Sequence, residues 1–498
     1  MRTTRVFASC GFVLVFAAAG VWQGVRAADR PSITAAIQWF LDATGLIATY
    51  NANGPSDQSN PFFQSLGTNG RSCATCHDAS QAMSITPGAA QQRYASSRGT
   101  DPLFASVDGA NCEDVQPGDR AGHSLLLKHG LIRVGVALPT GAEFTITVVR
   151  DPYGCALRQD PATGQLTVSV YRRPLPSANL AFLSAVMWDA RETVSVLGTG
   201  DTFRANLRAD LLHQAMDATL GHAQAAVTPT DAQLDAIVDF ELGLSTAQSV
   251  DHGAGPLDAA GASGGPLHLA AQTYYPGIND SLGGEPTGAA FKAEAMQLFS
   301  AWEQSAPRKA ADEQRQPRAE IAAGEKIFNT QPLTIADVRG LNDNDAISRP
   351  KAITGTCTSC HDTPNVGNHS LPLPLDIGTS HSTLSGTESD PTIAAALSEL
   401  NMPDLPVFLV QGCSNPFDPG EPASFYTTDP GRALITGHCS DFNRVKGPVL
   451  RGLAGRAPYF HNGAAADLEE LVSFYDKRFQ MNLTNQQKRQ LVAFLNAL

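Results

Sequence analysis

The sequence predicts a mainly α protein built as two tandem halves, with a small β insertion in the first. Three observations carry that expectation. The pattern Cys-x-x-Cys-His occurs twice, in "RSCATCH" at 71–77 and in "GTCTSCH" at 355–361. Two 15-residue stretches, "TDAQLDAIVDFELGL" from Thr230 and "TNQQKRQLVAFLNAL" from Thr484, align without a gap. One segment, "LIRVGVALPTGAEFTITVVRDPYGCALRQDPATGQLTVSVYRR" from Leu131, alternates β-formers and is cut by the turn signals PTG, DPYG and DPATG.

Taken in chain order, the N-terminus reads as an export signal over 1–27. Arg2 and Arg5 precede an apolar run from Val6 to Trp22, and Val25-Arg26-Ala27 offers a small-residue cleavage site. The run is shorter and less purely apolar than the ~20 residues a spanning helix needs, so the expectation is a cleaved signal, export to the periplasm and no stable membrane span. The first half, 28–250, opens with helical apolar spacing in "ITAAIQWFLDATG" from Ile33. It contains the β insertion at about 131–172 and closes on the Thr230 stretch. There, Thr230 and Gln233 form a capping box, and Ile237, Val238 and Phe240 share one face. Residues 251–290, starting "DHGAGPLDAAGASGGPLHLA", are rich in glycine and small residues and read as a linker or long surface loop. The second half, 291–498, repeats the scheme. "RAEIAAGEKIFN" from Arg318 is helical, and the Thr484 stretch repeats the capping box with Gln487 and the face with Leu491, Val492 and Phe494.

With 9 Cys and 12 His in 498 residues, random order yields Cys-x-x-Cys-His only about 0.004 times, so two copies have a common purpose. Covalent haem c attachment requires this pattern: two thiols for the vinyl groups and an imidazole for the iron. Cys73 and Cys76 with His77, and Cys357 and Cys360 with His361, are therefore expected to hold two haems c. Zinc would need a second Cys or His pair within roughly 12–20 residues, and none follows either motif. A thiol redox motif suits a cytosolic chain better than an exported one. Each half is thus expected to be a cytochrome c-like domain whose last helix packs across its haem pocket.

Cys10 leaves with the signal and four cysteines take haem, so Cys112, Cys155, Cys413 and Cys439 remain. An even remainder in an oxidising compartment implies disulfides, and pairing Cys112 with Cys155 and Cys413 with Cys439 keeps each bridge inside one half. The whole chain has a net charge of −13, and loss of Arg2, Arg5 and Arg26 leaves 32 basic against 48 acidic side chains, or −16. Nucleic acid is an improbable partner for such a surface, and a basic or dipolar redox protein a suitable one.

Two further stretches, "MWDARET" (187–193) and "KGPVLRGLAGRAPYFHNGAAADLEELVSFYDKRF" (446–479), give the chain a resemblance to the bacterial dihaem cytochrome c peroxidases and their relative MauG. The first is similar to a Trp-Asp-Gly-Arg element between the haems, and the second to the signature of the second domain. The β insertion and residues 251–290 stand outside the resemblance. It implies a peroxidatic first haem and an electron-transfer second haem, with hydrogen peroxide as substrate and a small c-type cytochrome or cupredoxin as donor. A homodimer is a further expected assembly. Carried onto matching positions, Trp188 is the relay between the haems and Gln214 lies near the peroxide pocket. The distal glutamate characteristic of peroxidases has no counterpart in register, and His222, the nearest group able to move a proton near pH 7, is nominated as distal acid/base or occasional ligand. Tyr475 matches the distal ligand of the second iron, with Met481 as the alternative. His461 is expected to hold the interface between the halves. The resemblance also implies one calcium ion, although the chain offers no compact acidic loop for it. The histidine that ligates the first iron in many such peroxidases has no counterpart, since no histidine occurs between Asp78 and Gly122. The first haem is therefore expected to keep an open face, with Met83 as a candidate to fill it. Other readings of the same residues are a MauG-like enzyme that oxidises a partner protein, a rubber-oxygenase-like enzyme and a plain dihaem electron carrier.

Overall fold

The computed structural model describes residues 36–193, 200–303, 313–382, 384, 390–418 and 420–498. The export-signal region, 1–27, lies outside them. Two apolar cores follow the two halves. One gathers Leu207, Leu211, Leu234, Ile237 and Val238, and the other Ile321, Phe328, Leu491 and Phe494. Both closing helices form as expected. Asp231–Leu242 and Asn485–Asn496 start at Thr230 and Thr484, whose amides donate to Gln233 and Gln487 at 2.9 Å. Those bonds satisfy orphan donors of the first turn, which is why this local signal could be read without tertiary information. The helix Arg315–Thr330 also forms. Gly324 lets it lie against the last helix, because a Cβ there would meet the Gln490 carbonyl oxygen at 2.0 Å.

The expectation of a mainly α fold is corrected: among the described residues twelve strands in four sheets accompany ten α-helices. Part of the difference lies in 33–45, expected as helix, of which 36–45 are among the described residues. Ile37–Leu41 and Gly45–Asn51 instead make an antiparallel hairpin, continued into a four-stranded sheet by Leu244–Asp251 and Gly255–Pro256. Asp42 Oδ1 accepts the amides of Thr44 and Gly45 at 2.7 and 2.9 Å, and this side-chain turn reverses the chain where a helix would have continued. The β insertion forms as strands but is not self-contained. Ile132–Ala137, Leu166–Arg172 and Leu157–Gln159 pair with one another, whereas Thr145–Arg150 pairs with Val407–Ser414 of the second half. The shared sheet closes over Ile146, Val170, Phe408, Val410 and Phe442. Each of these buried side chains is worth roughly 1.5–3 kcal/mol, enough to weld the halves together.

Of the two disulfides, Cys413–Cys439 packs against the shared core. Cys112 is bonded to Cys155, tying the insertion to the first half, and Cys413 to Cys439. Residues 251–290 are packed rather than a free linker, with Ala254, Leu257 and Leu269 fully buried. The small residues that resemble linker composition let this segment lie close against both cores.

Candidate active site

Each Cys-x-x-Cys-His sequence folds into the same turn. In the first, the His77 amide donates to Cys73 O at 3.0 Å and the Ser72 amide to Thr75 Oγ1 at 3.0 Å. In the second, His361 donates to Cys357 O at 3.0 Å and the Thr356 amide to Ser359 Oγ at 3.0 Å. The turn brings both thiols and the imidazole to one wall of a cavity. One cavity meets Cys73, Cys76 and His77, and another meets Cys357, Cys360 and His361.

The histidines are oriented from behind. His77 Nδ1 lies 3.1 Å from the Met83 carbonyl and His361 Nδ1 2.7 Å from that of Gly367. A carbonyl only accepts, so Nδ1 carries the proton and Nε2 keeps its lone pair for a ligand. Burial holds both imidazoles neutral, pushing His77 down to about 4 and His361 in the same direction. Met83 serves through its carbonyl, and its side chain is buried and lines neither cavity.

The thiols do not suit redox or zinc chemistry. Burial pushes Cys76 up to about 11 and Cys357 and Cys360 up to about 12, leaving no reactive thiolate at neutral pH. Among the described residues, neither group of side chains spaced to hold an ion includes a cysteine.

The cavities share a wall made of Pro174, Leu175, Pro176, Lys446, Pro448 and Arg456. Three cations are buried at or beside this wall with carbonyl partners, Lys446 and Arg456 in it and Arg173 on the second cavity alone. Lys446 Nζ donates to Ala185 O at 2.8 Å, Arg456 Nη2 to Val449 O at 2.5 Å, and Arg173 Nη1 to Gly130 O at 2.9 Å. Burial lowers them to about 7, 10 and 9 respectively. Buried cations without carboxylates fit a cofactor that brings its own. Matched thiol pairs, lone-pair-bearing imidazoles and these cations together fit two haems c.

The remaining candidate residues divide between the cavities. Gln214 and His222 line the first. His222 Nδ1 is hydrogen-bonded to Asp108, which also pairs with Arg71. Burial pushes the Asp108 carboxyl up, but His222 and Arg71 outweigh it and hold it ionised. The second cavity meets Trp188, His461, Tyr475 and Met481. Tyr475 projects from the helix Leu468–Arg478, and burial raises its phenol well above the usual range. Tyr475 and Met481 thus reach the same cavity.

Trp188 faces only the second cavity, and its neighbour Met187 faces the first. Met187 takes a left-handed φ of 67°, turning the two consecutive side chains to opposite sides. Trp188 Nε1 donates to Arg173 O at 2.7 Å, and its carbonyl accepts the Lys446 amide at 2.8 Å. The next residue, Asp189, is fully buried and pairs with Arg172, whose guanidinium also reaches Asp429 at 2.7 and 2.9 Å. Burial opposes ionisation of Asp189, but Arg172 and Arg191 hold it at about 2. His461 belongs to this junction. Its carbonyl accepts the Arg173 amide at 2.7 Å, and burial drives its imidazole to about 4.

Sequence reasoning missed Asp108, the orienter of His222, and Glu241. Glu241 lines the first cavity, and its buried Oε2 has no partner among the described residues. The gapless alignment of the closing helices sets Glu241 against Leu495, which lines the second cavity. That carboxyl-for-leucine exchange was the signal that could have found it.

No family model matches the chain. Among curated proteins it is 37% identical over 78 residues to "Cytochrome-c peroxidase IdrP2" of Denitromonas iodatirespirans, covering 14% of this chain and 21% of that one. It is 36% identical over 89 residues to "Cytochrome c551 peroxidase" of Nitrosomonas europaea, covering 18% and 25%. A solved structure, "Crystal structure of a MauG-like protein associated with microbial copper homeostasis", aligns at 13% identity and a TM-score of 0.26, over 69% of this chain and 79% of that one. The curated matches span a quarter or less of those relatives' length, and over that stretch the chain is similar to cytochrome-c peroxidases.

Proposed function

We propose that this chain is an exported, periplasmic dihaem c-type oxidoreductase that reduces hydrogen peroxide to water, drawing two electrons and two protons per peroxide. A small c-type cytochrome or cupredoxin is the proposed donor. The observation that carries the reading is the pair of cavities, each walled by the same Cys-x-x-Cys-His turn, on either side of Met187-Trp188. When bound, haem supplies the one-electron redox chemistry and the open iron position at which peroxide is activated.

The chain's own residues do the rest. Cys73 and Cys76 would anchor the first group and Cys357 and Cys360 the second, while His77 and His361 present neutral Nε2 atoms. In the first cavity, His222 can accept a proton at Nε2 from one peroxide oxygen and return it to the other, with Asp108 fixing its Nδ1. Gln214 supplies an amide for orienting the substrate. Glu241, raised to about 8 by burial, is a neutral acid in the same cavity at pH 7. Trp188 places an indole at the second cavity beside the shared wall, where it shortens the path for electrons. Tyr475, with Met481 as the alternative, would help hold the second group from the same cavity.

The phenol of Tyr475 at the second cavity also supports a MauG-like use of the site, because tyrosinate favours higher oxidation states where methionine raises the potential. Mixing the protein with peroxide and a reduced small cytochrome separates the readings. Rapid, repeated oxidation of the cytochrome supports the peroxidase. Peroxide consumption that oxidises protein side chains without turning over the cytochrome favours the MauG-like reading and removes the peroxidase.

A further inference from the structure

Outside both thiol clusters, two loops meet in a buried, negatively charged contact. Asp280 comes from the segment 251–290, and Asp362 and His369 from the loop after the second Cys-x-x-Cys-His. All three are at least 96% buried. One ligand atom from each lies within 4.8 Å of the others.

Internal partners account for only part of this cluster. Asp362 accepts His369 Nδ1 at 3.0 Å and the Ser370 amide at 2.7 Å. Asp280 Oδ2 accepts the Gly284 amide at 2.5 Å. Among the described residues, Asp280 Oδ1 and His369 Nε2, both buried, have no partner. Among the described residues no Lys or Arg pairs with either carboxylate, so one imidazole faces two acids in a water-poor place. Two buried carboxylates so arranged require a counter-cation or a proton.

The surrounding backbone is built to hold the loops together. The Gly277 amide donates to Ser370 O at 3.0 Å, Tyr274 Oη to the same oxygen at 3.2 Å, and Asn279 Nδ2 to Asp362 O at 3.0 Å. We propose that Asp280, Asp362 and His369 form a binding site for one first-row divalent cation of the zinc class. Two carboxylate oxygens with an imidazole nitrogen are a mixed O/N donor set, which suits zinc better than calcium or magnesium, whose sites are built from oxygen. The ion would clamp 251–290, the segment outside the sequence resemblance, to the loop whose Gly367 carbonyl orients His361. The inference does not rest on the peroxidase reading.

The test is metal analysis of the haem-loaded protein, stripped with a chelator, desalted and equilibrated against Zn²⁺ alone or Ca²⁺ alone. Iron per chain is counted on the same samples to report intact haem loading. The expected result is one Zn²⁺ per chain in the wild type. Asp280→Asn and His369→Gln should each weaken it at least about 10-fold with iron unchanged. Glu192→Gln, in the more exposed Glu192–His213–Asp217 group, should leave it in place. A wild type without stoichiometric Zn²⁺ would overturn the site and assign the excess charge to a proton between the carboxyls. Tighter binding of Ca²⁺ than of Zn²⁺ would overturn it too, as would Zn²⁺ retained in Asp280→Asn but lost in Glu192→Gln.

Discussion

Replacing Glu241 by Gln removes the one carboxyl that lines the first cavity from the closing helix, with almost no change of volume. Burial pushes this acid from 4.5 up to about 8, and desolvation is the cause. The sign follows from linkage. A carboxyl whose folded value is raised costs nothing below 4.5, where it is protonated in both states. Its cost grows as pH rises from 4.5, because the unfolded chain releases the proton and the folded one keeps it, and it levels off above about 8. From 4.5 to 7 is 2.5 pH units at about 1.4 kcal/mol each, a cost of about 3 kcal/mol at pH 7 and about 5 kcal/mol above pH 8. Glu241→Gln lacks that titration. Its stability relative to wild type should therefore improve by about 3 kcal/mol between pH 4.5 and 7. Urea unfolding of the haem-loaded proteins with disulfides intact, at several pH values, gives the difference directly, and contributions from all other groups cancel. A difference that stays flat from pH 4.5 to 8 would refute the reasoning, because Glu241 would then ionise as readily inside the protein as outside it.

Two further predictions concern the second cavity. Trp188→Phe should leave both haems attached and peroxide binding intact while slowing electron transfer between the haems, because a phenyl ring is a poorer relay than indole; rapid mixing that shows an unchanged rate would return Trp188 to a packing role. Tyr475→Phe should remove the low-spin ligand field of the second iron and raise its potential, whereas Met481→Leu should alter little. A near-infrared sulfur-to-iron band in the wild type that survives Tyr475→Phe and disappears in Met481→Leu would reverse that assignment.

What could be read in the sequence was local. The Cys-x-x-Cys-His turn is made by bonds between residues three and four apart, and the capping boxes at Thr230 and Thr484 by bonds three apart, so sequence spacing specifies both. The closing-helix faces follow from the same short-range periodicity. Partners far apart in the chain were not readable. Thr145–Arg150 alternates like any half-buried strand, and nothing in it names Val407–Ser414 as its neighbour. The hairpin at 37–51 has apolar spacing compatible with either element, and the turn at Asp42 and the empty edge of Leu244–Asp251 decided for strand. In the candidate site, Gln214, Trp188 and Tyr475 could be nominated because motifs flank or contain them, and His222 as the nearest group able to move a proton. Asp108 is 114 positions from His222 and carries no motif of its own. The shared wall with Lys446 and Arg456 likewise exists only once the halves are joined.

The proposed function uses the two matching cavities unequally, one open to a ligand and one closed by the chain. Electron paramagnetic resonance of the resting ferric protein tests this most directly. The first cavity has no histidine from 78–122 to close it, whereas Tyr475 and Met481 both reach the second. The predicted spectrum contains one high-spin and one low-spin haem, with cyanide converting the high-spin signal. Two low-spin signals, both indifferent to cyanide, would contradict it and leave the chain an electron carrier.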